Sequence, residues 1–236
     1  MSVLPLHASE LESIYARTLG AGVRSLAITA PKVGSGTTTL ALALSRRASA
    51  AGRRVLLVEF NSSRPSLATV LDVQTRDWAL HDGTAANAMV PVPGGSLAVL
   101  PASMRGALSI ESREPKVIQA AFQHWTETYD CVVADMPPVD LPGQVALPAP
   151  SLCAAAEGTL LVVLAGATTA TELAAAARTL AAANARVLGC VVNDRFNPTL
   201  AQELARETHR LDRFLPRLSR AIRDKLSRIE LFSLRS

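Results

Sequence analysis

The sequence predicts a three-layer α/β domain built on a mostly parallel sheet, and three observations carry that prediction. Short apolar runs bounded by Gly, Pro or Asp recur at 26–29, 55–60, 97–100, 131–134, 160–164 and 187–192. They are rich in Val and Leu and do not alternate with polar residues, the pattern of strands covered on both faces. Helical stretches lie between most of them, at 38–51, 116–128, 171–183 and 198–210; strands and helices in alternation give parallel strands joined by right-handed crossovers. Finally, 236 residues that are 49% hydrophobic are enough to bury one large core.

The first strand leads into Ala27-Ile28-Thr29-Ala30-Pro31-Lys32-Val33-Gly34-Ser35-Gly36-Thr37-Thr38-Thr39-Leu40, a strand, a glycine turn and the start of a helix. Gly34 and Gly36 let the backbone curl until successive N–H groups face an anion, with the dipole of the following helix behind them. This is the layout of a phosphate-binding P-loop, whose full form ends Gly-Lys-Ser/Thr. The domain is therefore expected to be P-loop NTPase-like. Gly36 is followed by Thr37, so the lysine is missing, while Thr38 holds the magnesium-ligand position. Gly34, Ser35, Gly36, Thr37, Thr38 and Thr39 are the candidate contacts to ATP or ADP. Lys32 is one of only three lysines beside 21 arginines. It either supplies part of the missing charge or is a solvated loop residue.

The second strand ends at Glu59 and the fourth central run at Asp135. An aspartate at the C-terminal end of a central strand is placed to hold Mg²⁺, directly or through water. Thr38, Glu59 and Asp135 are the candidate metal ligands, and Lys32, Glu59 and Asp135 the candidate catalytic groups. Two long loops, 72–95 and 136–157, the second with five prolines, lie at strand ends where sites are commonly built. The Ala-rich run 174–185 suits a helix packed closely on the sheet through small side chains.

Composition narrows the class further. Aromatics are 4%, so Ala, Leu and Val must fill most of the core. No apolar run approaches the roughly 20 residues of a membrane span, and the first residues carry no basic leader or apolar core, so neither a transmembrane segment nor a secretory signal is expected. Cys131, Cys153 and Cys190 form no Cys-x-x-Cys pair; two fall in strand-like runs, which suits buried reduced thiols. The net charge of +4 is all C-terminal: residues 194–236 hold ten basic and six acidic side chains, against 14 of each before them. Residues 1–210 are expected to form the main domain and 211–236 a basic amphipathic helix. In that helix Leu218, Ile222, Leu226 and Ile229 fall at helical spacing after Pro216. It either meets an anionic membrane surface or a partner, or packs on its own domain. Nucleic acid is not an expected partner, since no aromatics interleave the charge.

Two further segments carry a family resemblance. Arg54-Val55-Leu56-Leu57-Val58-Glu59-Phe60-Asn61-Ser62-Ser63-Arg64-Pro65-Ser66-Leu67 resembles the second nucleotide motif of the bacterial tyrosine autokinases of capsule and exopolysaccharide export. In that family the strand ends Asp-x-Asp before Arg-Arg-Pro-Ser-Leu. Tyr129-Asp130-Cys131-Val132-Val133-Ala134-Asp135-Met136-Pro137-Pro138-Val139 resembles its Walker B segment. His81-Asp82-Gly83-Thr84, residues 158–163 and residues 185–193 extend the likeness over roughly residues 10–200. The resemblance implies ATP or ADP with Mg²⁺ as cofactors, Arg64 as a nucleotide-site residue and Asn193 near the adenine ring. It also implies a membrane polysaccharide co-polymerase as partner and a cytoplasmic location peripheral to the inner membrane, with homo-oligomer assembly left open.

The departures are as informative. Thr37 can donate a hydrogen bond but cannot neutralise phosphate, Glu59 adds a methylene to one aspartate position, and Asn61 removes the charge of the other. The family's tyrosine cluster is absent, Tyr15 and Tyr129 being the only tyrosines. The family's Glu-x-x-Arg-x-x-Arg is also broken: Glu12 is followed by Tyr15 and Thr18, with Arg17 off register. The leading expectation is thus a degenerate autokinase-like protein of polysaccharide export with weakened nucleotide binding. An active tyrosine kinase or ATPase using Lys32 and Glu59 is the first alternative. The second is a positioning ATPase of the partition or septum-site type, in which a lysine at the Lys32 position reaches a partner subunit's phosphates.

Overall fold

The computed structural model describes residues 8–103, 109–140 and 147–194. The expected helices at 198–210 and 218–229, and the expected boundary after residue 210, lie outside the described residues. Seven strands form one sheet: β1 (Ser25–Thr29), β2 (Val55–Glu59), β3 (Val90–Val92), β4 (Leu97–Leu100), β5 (Cys131–Asp135), β6 (Gly158–Leu164) and β7 (Val187–Asn193). Their spatial order is β3-β4-β2-β5-β1-β6-β7, with only β3 antiparallel to its neighbour. The predicted three-layer, mostly parallel α/β architecture is present.

The six predicted strands are there, and the residue pattern explains why both faces had to be covered. In β2, Val55 and Leu57 point into one core with Leu26, Ile28 and Val99, while Leu56 and Val58 point into the other with Ala27 and Leu100. Side chains alternate across a strand, so a continuous apolar run has an apolar residue for each layer. The first layer is closed by α1 (Ser9–Arg17) and α2 (Thr37–Ala50), through Leu11, Leu40 and Leu44. Glu12 reaches across to α2, accepting from Arg47 Nη2 at 2.8 Å, and the Arg47 guanidinium lies 4.4 Å from the centre of the Tyr15 ring.

On the other face, α5 (Pro115–Thr128) begins with proline in its first turn and buries Ile118, Phe122 and Trp125, one helical stripe. Between β2 and α5 come two short helices, α3 (Leu67–Leu71) and α4 (Ala85–Ala88). α6 (Ala149–Ala155) and α7 (Ala170–Ala182) complete this layer through Leu152, Ala176 and Leu180. α7 opens with a capping box between Thr169 and Glu172. Every aromatic among the described residues except Tyr15 lies in or against this layer. Phe60 stacks on Phe122 at 6.1 Å, meets Trp78 edge-on at 6.1 Å and lies 6.3 Å from Trp125.

Three expectations need correction. β7 is not covered on both faces: none of its residues is buried and Val192 is 65% exposed, and the strand lies at the sheet edge, paired only with β6 among the described residues. Cys190, on β7, is therefore exposed, while Cys153, outside the strand-like runs, is buried on α6. Burial pushes the Cys131 and Cys153 thiols up to about 11 and about 12, so both stay protonated. The long loops are also partly structured: α4 and β3 interrupt the first and α6 the second. β3 was hidden because it is three residues long with Pro91 in its middle, which an edge strand tolerates.

Candidate functional site

The site lies where the chain leaves β1 and crosses over β5 to reach β2, at the C-terminal edge of the parallel strands. Such a change of direction opens a crevice between neighbouring loops. Ile28 and Glu59 are both in register with Asp135 on the intervening strand. The segment after β5 buttresses the glycine loop from below: Thr29 Oγ1 donates to the Pro137 carbonyl at 2.8 Å, and the Val139 N–H to the Ala30 carbonyl at 2.9 Å.

Within the loop, Gly34 and Gly36 adopt φ of 83° and 95°, the left-handed region that glycine enters without strain. Ser35 Oγ donates back to the Lys32 carbonyl at 3.0 Å and holds the turn. Asn193, the last residue of β7, donates its side-chain amide to the Ser35 carbonyl at 2.9 Å. A Cβ on Gly36 would lie 2.5 Å from that amide nitrogen, well inside contact distance. Gly36→Ala is accordingly expected to destabilise the chain by about 1–3 kcal/mol, through strain at φ and displacement of Asn193. Denaturant melts of the two proteins measure it, and Gly34→Ala, with open space around the added carbon, should cost the lesser amount.

From Gly36 the chain enters α2, a 14-residue helix whose first turn holds Thr37, Thr38 and Thr39 and no acidic residue. Its free N–H groups and dipole favour an anion at this end. Thr38 Oγ1 donates to Asp135 Oδ2 at 2.6 Å. Asp135 is 0% exposed, and its Oδ1 has no hydrogen-bond partner among the described residues. Burial raises this carboxyl to about 7; the Thr38 hydrogen bond opposes the rise, the nearby Glu59 charge adds to it, and the Thr37 hydroxyl makes a smaller opposing contribution. A buried carboxylate with one oxygen unpartnered, held by a helix-start threonine, suits the oxygen ligands Mg²⁺ requires. No cluster of three or more His, Cys, Asp or Glu exists among the described residues to offer another metal centre.

The remaining predicted residues are arranged differently. Glu59 is buried, and its oxygens are taken up by backbone N–H groups of Ser66, Leu67 and Ala102 at 2.7, 3.1 and 3.2 Å. Lys32 extends outward, its side chain 53% exposed, into an ion pair with Glu172 that raises the lysine and lowers the glutamate. Arg64 is exposed on the loop between β2 and α3. Sequence reasoning missed Glu172, whose signal was the Thr-x-x-Glu capping box at 169–172, one helix away from the loop lysine it binds. The lining of the adjoining cleft, about 390 Å³, includes Lys32, Asp140, Glu172 and Thr179.

Fold and loop together define a P-loop NTPase-like α/β protein. No protein-family model matches this sequence, and no curated protein matches it. Among solved structures, the chimerical protein CapA2B2 superposes with a TM-score of 0.65 at 20% identity, over 78% of this chain and 82% of that one. The kinase domain of the Escherichia coli tyrosine kinase Etk gives 0.63 at 19% identity, over 82% and 81%. The septum site-determining protein MinD from Pyrococcus horikoshii, complexed with Mg-ADP, gives 0.58 at 25% identity, over 75% and 72%. The chain thus has the fold of bacterial tyrosine-kinase domains and of MinD-type ATPases.

Proposed function

We propose that this chain is a degenerate, tyrosine-autokinase-like P-loop protein of exopolysaccharide biosynthesis and export, acting mainly by docking on a membrane co-polymerase, with weakened nucleotide binding. The observation that carries this reading is a phosphate loop complete in backbone form but without its own cation. Thr37 offers a hydroxyl where a charge is needed, and the nearest loop lysine, Lys32, is paired with Glu172. Backbone N–H groups from Gly34 to Thr39 would receive the phosphates, and Thr38 with Asp135 would hold Mg²⁺, which when bound screens phosphate charge. Asn193 packs its side-chain amide beside Gly36 and hydrogen-bonds the Ser35 carbonyl. What these groups cannot supply is a positive charge on the transferred phosphoryl group, the kind of preorganised contact whose loss costs ~3–4 kcal/mol in a transition state.

Titration calorimetry tests the loop directly. Mg-ATP should bind weakly to the natural chain, and Thr37→Lys should tighten it about 10- to 100-fold, as a new charge-assisted hydrogen bond of ~1.5–3 kcal/mol implies. Tight binding by the natural chain, unchanged by the lysine, would refute the reading.

The active-enzyme alternative requires Lys32 to leave Glu172 and Glu59 to leave three backbone donors. The positioning-ATPase alternative shares the fold, so the resemblance of Arg64-Pro65-Ser66-Leu67 and Met136-Pro137-Pro138-Val139 is what favours the polysaccharide system. No helix among the described residues is long and apolar enough to cross a membrane. Association with the inner membrane is therefore proposed to depend on the co-polymerase. In cells lacking that protein, fractionation should move most of the chain out of the membrane pellet. Full retention there, with release on deleting residues 216–236, would assign the attachment to lipid instead.

A further inference from the structure

Two carboxylates end neighbouring strands side by side, yet they have opposite environments. Among the described residues Asp135 keeps one oxygen without a partner, whereas Glu59 accepts from three backbone donors in two separate segments. Ser66 and Leu67 belong to the start of α3, and Ala102 follows the end of β4 on the other flank of β2. We infer that Glu59 is a positioning residue, an internal clamp that ties the 60–66 loop to the exit of β4, rather than a ligand of the nucleotide site.

Reach explains why glutamate serves here. An aspartate carboxylate would sit about 1.5 Å nearer the strand, the length of one C–C bond. Hydrogen bonds of 2.7–3.2 Å do not stretch that far and survive. The added methylene therefore carries the charge past the sheet edge to the two sets of N–H groups. A buried carboxylate is tolerated only when hydrogen-bonded, and here the backbone provides those bonds without a cation. The Ser66 contact holds the far end of the loop that turns at Ser62 and Ser63 and carries exposed Arg64.

Amide hydrogen exchange without nucleotide tests the clamp independently of the proposed function. Glu59→Asp and Glu59→Gln should each speed exchange at least tenfold at Ser66 and Leu67, at Ala102, or at both, while Val132 and Val133 in β5 stay protected. Unchanged exchange at all three amides would overturn the clamp. A second measurement, Mg-ADP affinity in the Thr37→Lys background, should change by less than about twofold on adding Glu59→Gln. A tenfold loss would return Glu59 to the nucleotide site and overturn the proposal, whatever the exchange data. Should neither variant fold, the natural chain decides: the three amides must exchange as slowly as those of β2, and exchange at open-loop rates would refute the clamp.

Discussion

Asp135→Asn is expected to abolish a pH-dependent loss of stability that the natural chain suffers between about pH 4 and pH 8. The folded carboxyl titrates near 7, against a reference of 3.8, so the folded state binds this proton more tightly than the unfolded state. Its contribution to stability is therefore complete below about pH 4 and disappears as the pH rises through 7. In metal-free buffer the variant should gain about 2–3 kcal/mol on the natural chain between pH 5 and pH 8, because about two pH units of that window lie below the folded titration point, each worth about 1.36 kcal/mol. Urea melts at the two pH values measure the difference, and other titrating groups cancel in the comparison. A pH-independent gap would mean that the buried carboxylate is compensated by something other than the Thr38 hydroxyl.

The second large effect concerns the aromatic cluster. Phe60 follows β2 directly and touches Trp78, Phe122 and Trp125, so it ties the site-bearing end of the sheet to α5. Phe60→Ala should cost about 3–5 kcal/mol, since a cavity is left that rigid indole and phenyl neighbours cannot close. For a domain of this size that is a fall in Tm of about 6–20 °C. Val192→Ala, on the exposed face of β7, is the control and should stay within about 0.5 kcal/mol. A Phe60 variant no worse than this control would show that the cluster contributes little.

The fold was legible because the strands are buried runs and the helices between them are long enough to show a stripe. Ile118, Phe122 and Trp125 are spaced as one helical face, and the structure buries all three. Short elements left no such trace: α4 has four residues and β3 three, too few for either period to be distinguished. β7 misled for a different reason. Its apolar run is as continuous as those of the central strands, but composition does not report position in the strand order.

The site was legible to the extent that it is local in sequence. The glycine loop, Thr38 and Asp135 sit where spacing put them, and Asn193 reaches the loop by its side chain. The partnerships of Lys32 and Glu59 depend on which distant segment supplies a counter-charge or an N–H. Glu172 stands 140 residues from Lys32, and no spacing rule connects them.

One hydrogen bond in this arrangement joins the last strand to the first loop. Asn193 grips the Ser35 carbonyl with its side chain while its own carbonyl receives the Ala165 N–H, so the end of β7 is moored both to the sheet edge and to the crown of the glycine loop. The chain continues from this mooring into residues 194–236, which carry all of the molecule's excess positive charge. The Asn193 side chain is thus the link between the last strand of the sheet and the turn at Gly36, and a Cβ at Gly36 would collide with that link.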